Sequence, residues 1–152
     1  MANKYDQNKF SVANPEKYSG KKVPFYRSSW ERKFMEFCDT HPNVLSWASE
    51  AVRIPYKNPL TGKSTTYVPD FLIHYQDKDG QDHIELIEIK PEEQTAITNR
   101  SSEALKQEVA INAAKWEAAK EWAMRKGIGF RVLNKHHIFL NVQPKSASKK
   151  RK

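Results

Sequence analysis

Two short segments joined by an acidic turn most constrain what this chain can fold into. They span residues 68–71 and 86–91, and each places charged residues inside an apolar run. The runs around them, 67–75 and 83–90, have the composition of β-strands, and residues 77–80 between them (Asp-Lys-Asp-Gly) are typical of a tight turn. The sequence therefore predicts a β-hairpin in this region.

The position of the turn also predicts which residues of the two strands face each other. If the hairpin is centred near Asp79, positions whose numbers add up to about 158 are opposite, so Asp70 lies opposite Glu88. Side chains alternate along a strand, which puts Glu88 and Lys90 on the same face. Two carboxylates and an ammonium group are thus predicted to meet near one end of a sheet.

This combination of charges suits a metal-assisted hydrolysis. Two close carboxylates repel each other, and a divalent cation removes that repulsion. Magnesium prefers oxygen ligands, usually one or two carboxylates together with water and phosphate, and a lysine beside it can orient or help deprotonate the attacking water. The alternative is a cross-strand ion pair in which Lys90 neutralises Glu88 or Asp70, and spacing alone does not separate the two interpretations.

Composition bounds the class of protein. A chain of 152 residues suits one domain with its own core. No apolar run approaches the ~18 residues of a membrane helix, and the polar N-terminus does not resemble a signal peptide. Cys38 is the single cysteine, so an internal disulfide is excluded, which fits a reducing cytoplasm.

The charge of the chain is concentrated at its C-terminus. The net charge is +8, and the segment 144–152 carries five of the positive charges, including Lys149, Lys150, Arg151 and Lys152. The segment has no large apolar residue, so we expect a disordered tail that contacts a polyanion such as DNA; the alternative is a tail that only aids solubility.

The remaining elements follow from periodicity and end signals. Residues 1–22 are polar and predict an extended arm. A helix is expected from Ser28 or Ser29 to about residue 40, before Pro42. Strands at 51–56 and 64–71 should form a three-stranded meander with 83–90. A long helix at 102–126, a Gly127 cap and a strand at 129–133 imply a crossover to a parallel strand.

Two details of the helices complete the prediction. The buried face of the long helix is expected to hold Leu105, Val109, Ala113, Trp116 and Ala123. Glu31 lies in the first turn of the first helix. There it either stabilises the helix dipole or forms a third acid beside Asp70 and Glu88.

The order helix, three-strand meander, helix, strand resembles the αβββαβ core of the PD-(D/E)xK nucleases, which have a restriction-endonuclease-like α/β fold with a mixed sheet flanked by helices. The motifs that carry the resemblance are Pro69-Asp70 and Glu88-Ile89-Lys90, with Glu31 on the preceding helix. Residues 26–31, 54–56 and 67–71 further resemble the N-terminal endonuclease domain of the transposition protein TnsA. The whole chain is similar to the head-completion nucleases of large tailed bacteriophages.

The resemblance implies a role for each matching residue. Asp70, Glu88 and the main-chain carbonyl of Ile89 would hold Mg²⁺, with Mn²⁺ as a substitute. Lys90 would act on the attacking water, and Glu31 would complete the acidic site. Arg27 and Ser29 are additional candidate contacts to DNA.

The expected protein is thus a DNA endonuclease that trims or cuts ends during phage head completion. Residues 23–143 would form the nuclease domain between the arm and the tail. It would act on double-stranded DNA in the host cytoplasm or the virion head, with head or portal proteins as partners and no membrane. The alternatives are a non-catalytic DNA-binding or head-assembly protein on a nuclease-like fold, and cleavage of RNA or of DNA junctions.

Overall fold

A computed structural model describes residues 8–90 and 102–134 of the chain. Within these ranges a short 3₁₀-helix, Pro15–Lys17, is followed by two α-helices and six β-strands. The helices are α1 (Ser29–Thr40) and α2 (Glu103–Lys126). The strands are β1 (Val44–Ser49), β2 (Ile54–Lys57), β3 (Ser64–Tyr67), β4 (Phe71–Gln76), β5 (Asp82–Ile89) and β6 (Gly129–Leu133).

Four of the strands form the central sheet, in the order β1-β4-β5-β6. Strand β4 pairs antiparallel with β1 and β5, whereas β6 pairs parallel with β5. The parallel pair is joined by the segment that contains α2, as a crossover between parallel strands requires. The predicted α/β class, with a mixed sheet flanked by helices, is confirmed.

The two faces of the sheet pack against different helices. On one face Phe71 and Ile87 pack in a cluster with Phe34 of α1. On the other face Leu86 packs in a cluster with Ala119 and other small residues of α2. Because side chains alternate along each strand, odd-numbered residues of β4 and β5 face α1 and even-numbered residues face α2. Neither helix of the described residues is long and apolar enough to span a bilayer.

Both helices are bounded by the signals that the sequence predicts. The Ser28 hydroxyl accepts a hydrogen bond from the main-chain N–H of Glu31 at the start of α1. At the end of α2 Gly127 has a φ of 75°, a left-handed conformation that glycine adopts without steric cost. The helix boundaries therefore needed only local sequence information.

The prediction that the strand at 51–56 belongs to the same sheet as the strand at 83–90 is wrong. Strands β2 and β3 form a separate two-stranded sheet, and β1 takes the place beside β4. The run expected from Tyr67 to Tyr75 is interrupted at residues 68–70, where Pro69 cannot donate a ladder hydrogen bond. β1 supplies Val44, Trp47 and Ala48, which are all buried, whereas β3 exposes its first three residues.

The predicted buried face of α2 is confirmed at Ala123, and Trp116 packs on the same cluster, but the prediction is wrong at Leu105 and Ala113. Leu105 is 41% exposed and Ala113 is exposed as well, while the buried residues of the helix are Asn112, Ala119 and Ala123. These residues are seven and four positions apart, so they lie on one face of the helix. This buried face is rotated about the helix axis relative to the predicted face. The error arose because several alanines gave the helix more than one apolar face.

Residues 8–22, which belong to the predicted arm, lie against the domain. Phe10, Val12 and Tyr18 pack on the cluster around Trp47, and the Tyr18 and Trp47 rings meet edge to face at 4.7 Å. Asp39 of α1, only 2% exposed, accepts hydrogen bonds from the main-chain N–H groups of residues 13 and 14, at 2.8 and 3.2 Å. A buried carboxylate therefore fastens this segment to α1.

We predict that Asp39→Ala lowers the free energy of unfolding by about 3 kcal/mol, because the two N–H groups lose a charged acceptor in a water-poor site. Urea denaturation measures this change. The matched control is Glu36→Ala on the exposed side of the same helix, where an i,i+4 pair with Arg32 is lost and about 0.5 kcal/mol is expected. Equal effects of the two substitutions would contradict this role of Asp39.

Candidate active site

The pairing of β4 with β5 brings two acidic residues together. Phe71 pairs with Ile87 and Leu72 with Leu86, so paired positions add up to 158, as the sequence predicts. Asp70 lies directly before β4, and its Oδ2 accepts a hydrogen bond of 2.8 Å from the main-chain N–H of Ile89. This bond holds the Asp70 carboxylate at the end of β5, next to Glu88.

Glu88 is held by a tyrosine that the sequence analysis missed. The Tyr67 hydroxyl donates a hydrogen bond of 2.7 Å to Glu88 Oε1, and Tyr67 is 4% exposed. Lys115 of α2 lies with its ammonium group 5.5 Å from the centre of the Tyr67 ring. The β3 end, β5 and α2 thus meet around this carboxylate.

The environment raises the pKa of both carboxyl groups. Burial raises the pKa of Asp70 to about 8, helped by the charge of Glu88 and, less strongly, by Glu31 and Glu50, while the Ile89 N–H opposes the shift. Burial also raises the pKa of Glu88, against the hydrogen bond from Tyr67 and the charges of Lys90 and Lys115. The site therefore retains a proton near neutral pH unless a cation is present.

Lys90 does not form the cross-strand ion pair that the alternative interpretation requires. Among the described residues, the acidic group within 4.0 Å of its ammonium is Glu108 of α2, at 3.9 Å. Its charge still lowers the pKa of Glu88, so the two side chains are close. The main chain of Lys90 is fixed by a hydrogen bond of 2.8 Å from its N–H to the Leu133 carbonyl.

Glu31 has a structural role and also lies near the site. Its Oε1 accepts a hydrogen bond of 3.0 Å from the main-chain N–H of Arg27, while its own N–H is bound by Ser28. Ser28 therefore caps the helix, and the Glu31 carboxylate binds the N–H of the residue that precedes the cap. Its charge also contributes to the raised pKa of Asp70. Both interpretations of Glu31 given by the sequence therefore have an observation behind them.

A basic cavity opens beside Asp70. It has a volume of ≈ 550 Å³ and is lined by Lys22, Arg27 and Arg53 together with Glu50 and Asp70. Arg27 was among the predicted DNA contacts. Ser29, the other predicted contact, is exposed at the first position of α1 but does not line the cavity.

Four of the residues around the site were missed by the sequence analysis: Lys22, Glu50, Arg53 and Tyr67. The signal for Tyr67 was present, since it directly precedes the Val-Pro-Asp motif at the end of a strand. Glu50 and Arg53 lie on the connection after β1. The sequence does not predict β1 as a strand of the central sheet, so it does not place this connection beside Asp70. Lys22 lies in the predicted arm.

The donor set around Asp70 and Glu88 consists of oxygen atoms. Within residues 8–90 and 102–134, no group of three or more His, Cys, Asp or Glu side chains is arranged to hold a metal ion. Two carboxylates with one main-chain carbonyl, predicted to be that of Ile89, leave room for water and phosphate, which is the donor set that Mg²⁺ accepts. The residues present therefore fit such an ion.

Several predicted features lie outside the described residues. They are the basic tail 144–152 with Lys149, Lys150, Arg151 and Lys152, and part of the arm, residues 1–7. The extents of the arm, the nuclease domain and the tail remain predictions.

Comparison with known proteins identifies relatives over most of the chain. Residues 41–135 match the family described as "TnsA-like endonuclease N terminal". The chain is 36% identical over 137 residues to the "Head completion nuclease" of Enterobacteria phage T4. The alignment covers 82% of this chain and 88% of the relative. No solved structure matches the chain. The family match includes Asp70, Glu88 and Lys90, whereas Arg27 and Glu31 precede it.

We predict a pH-dependent stability that originates at Asp70. The folded-state pKa of about 8 lies above the ordinary 3.8, so the folded protein keeps a proton that the unfolded chain releases between these values. The free energy of unfolding of the metal-free protein should therefore fall between the unfolded pKa of 3.8 and the folded pKa of about 8, by at most about 1.4 kcal/mol per pH unit.

Urea denaturation in the presence of a chelator, at several pH values, measures this slope. Asp70→Asn should flatten it, because the amide does not titrate. Asp79→Asn, in the exposed turn between β4 and β5, is the matched control and should leave the slope unchanged. A slope in Asp70→Asn as steep as in the wild type would contradict the prediction.

Proposed function

Because the chain belongs to the TnsA-like N-terminal endonuclease family, we propose that it is a divalent-metal-dependent endonuclease that hydrolyses phosphodiester bonds of double-stranded DNA. The observation that carries the proposal is the apposition of Asp70 and Glu88, two partly buried carboxyl groups with raised pKa values, beside Lys90. Such an arrangement costs stability, and its use is to receive a cation.

In this proposal Asp70, Glu88 and the Ile89 carbonyl would hold Mg²⁺, or Mn²⁺ in its place. The bound ion would neutralise the carboxylates, polarise the scissile phosphate and lower the pKa of bound water. The Ile89 N–H fixes the orientation of the Asp70 carboxylate. An ion held there would favour the ionised form of both carboxyl groups, so it would compete with the proton that the raised pKa of Asp70 retains.

Lys90 orients the attacking water or compensates the charge that develops on the phosphate. A protonated lysine has no lone pair and is a poor metal ligand, so its contribution lies with the water or the phosphate oxygens. Its partial exposure of 28% and its loose contact with Glu108 leave the ammonium group able to turn toward substrate. Glu31 adds negative charge at the same end of the sheet.

The relative from phage T4 is named a head completion nuclease. We therefore propose that this chain acts on DNA ends during phage head completion, in the host cytoplasm or attached to the virion head. Its partners would be double-stranded DNA and head or portal proteins. The basic tail 144–152 would hold DNA through its phosphates or dock on an acidic protein surface.

The test is cleavage of supercoiled plasmid with Mg²⁺ by the wild type and by Asp70→Ala, Glu88→Ala and Lys90→Ala. We expect the two acid substitutions to abolish cleavage and Lys90→Ala to lower it by about 100-fold or more, with Mg²⁺ binding retained in Lys90→Ala by calorimetry. A chelator should abolish wild-type cleavage. Wild-type rates in Asp70→Ala and Glu88→Ala at saturating Mg²⁺ would reject the site and favour a non-catalytic DNA-binding protein.

We predict that Tyr67→Phe lowers the cleavage rate by about 10-fold to 100-fold while the fold is kept, because Glu88 loses the group that orients it. The matched control is Tyr75→Phe, which removes a similar tyrosine–glutamate hydrogen bond, of 3.0 Å to Glu85, nearer the hairpin turn. Rates that fall equally in both variants would show that Tyr67 acts through general stability. Thermal unfolding of both variants provides the reference.

A further inference from the structure

The cavity beside Asp70 is lined by three cationic side chains and by the carboxylates of Glu50 and Asp70. Lys22 comes from the segment before α1, Arg27 from the residue before the α1 cap, and Arg53 from the connection between β1 and β2. Lys22 and Arg27 are close in sequence, Arg53 is distant from both, and all three line one opening. Proteins that contact nucleic acid use such groups to bind backbone phosphates.

The Glu50 carboxylate, which lies beside Asp70 in the cavity, holds Arg27 in place. Its guanidinium donates to Glu50 Oε2, and Lys22 lies 3.4 Å from the other oxygen of the same carboxylate. The hydrogen bond and charge of Glu50 raise the pKa of Arg27, to which the charges of Glu31 and Asp70 add. Arg27 therefore lies within electrostatic range of the carboxylates of the proposed active site.

Glu50 is itself fixed relative to Asp70. Its main-chain N–H donates to the Asp70 carbonyl at 2.9 Å, and its φ of 51° is the one left-handed value among the non-glycine residues that the structure describes. A non-glycine residue in this conformation costs roughly 1 kcal/mol or more and persists where the surroundings impose it. The strained turn therefore directs the Glu50 carboxylate toward Arg27 and Lys22.

The cations retain donors for a ligand. Glu50 accepts from one guanidinium nitrogen of Arg27, and an arginine has five N–H groups. Arg53 is exposed, and within residues 8–90 and 102–134 it has neither a hydrogen bond nor an ion pair. A tetrahedral oxyanion in the cavity could accept from Arg27, Arg53 and Lys22 together.

We propose that the cavity formed by Lys22, Arg27 and Arg53 is a subsite for a backbone phosphate of the substrate DNA strand, adjacent to the phosphate that is cut at Asp70. Glu50 is its positioning residue, because it holds Arg27. The inference rests on the proposed function, since it takes DNA as the substrate. Its use is to fix the register of the strand, so that the scissile phosphate lies over Asp70 and Glu88.

The experiment measures binding of a short fluorescein-labelled DNA duplex by fluorescence anisotropy, without metal, over a series of salt concentrations. Each phosphate contact contributes about 0.9 to the slope of log affinity against log salt. Arg53→Ala and Lys22→Ala should each weaken binding and reduce this slope by up to about 0.9. Arg125→Ala is the matched control: it removes an exposed arginine in the last turn of α2 that does not line the cavity, and the slope should not change.

Glu50 is tested by a pair of substitutions in the same assay. Glu50→Ala should reduce the slope as Arg27→Ala does, because Arg27 is no longer held. Glu50→Gln should restore most of the binding, because its amide oxygen can still accept from Arg27. A purely structural role of Glu50 would instead make binding follow thermal stability, which is recorded for both variants.

The outcomes separate this inference from the proposed function. If the wild type cleaves plasmid and binds the duplex, but Arg53→Ala and Lys22→Ala bind with the wild-type slope, the phosphate subsite is rejected and the nuclease stands. If the slopes fall as expected but no cleavage occurs with Mg²⁺, the subsite is supported and the nuclease is rejected. Absence of duplex binding by the wild type would overturn the subsite.

Discussion

The site depends on one unfavourable interaction, the burial of Asp70 opposite Glu88 at the end of the β4–β5 pair. Burial raises the cost of ionising Asp70, and the charge of Glu88 raises it further, so that the pKa of Asp70 reaches about 8. The neighbours fix these groups in place: Ile89 donates its N–H to Asp70, and Tyr67 donates its hydroxyl to Glu88. The surrounding elements can be understood by how they hold this pair.

Three connections bring the supporting residues to that end of the sheet. The β2–β3 hairpin is inserted between β1 and β4, and its last residue, Tyr67, reaches Glu88. The strained turn after β1 places Glu50, whose N–H is bound by the Asp70 carbonyl. The cap of α1 places Glu31 and Arg27 beside each other. The site is therefore assembled from segments that are distant in sequence and meet because β1 pairs with β4.

The sequence allowed the hairpin register to be predicted because the turn and the alternation of side chains are local properties. The same holds for Ser28 and Gly127 at the helix ends. Local patterns could not decide whether β1 or β2 pairs with β4, since both have strand composition and the choice depends on which one buries Trp47 against the core. This error hid the positions of Glu50 and Arg53. Tyr67 was missed because its partner, Glu88, is defined only by tertiary structure.

The signs of the pKa shifts distinguish a structural ion pair from the cation site that we propose. In a structural pair, a neighbouring lysine lowers the pKa of the carboxyl group, and the pair contributes stability above that pKa. Here the pKa of Asp70 and of Glu88 is raised, and the nearest acidic partner of Lys90 among the described residues is Glu108. Ionising the pair near neutral pH therefore lowers stability, and a ligand that binds only the folded, ionised form would recover it. A carboxyl pair that lowers stability when it ionises is expected where stability is given up for binding. In the proposed site this is why Lys90 lies beside Asp70 and Glu88 without forming an ion pair with either of them.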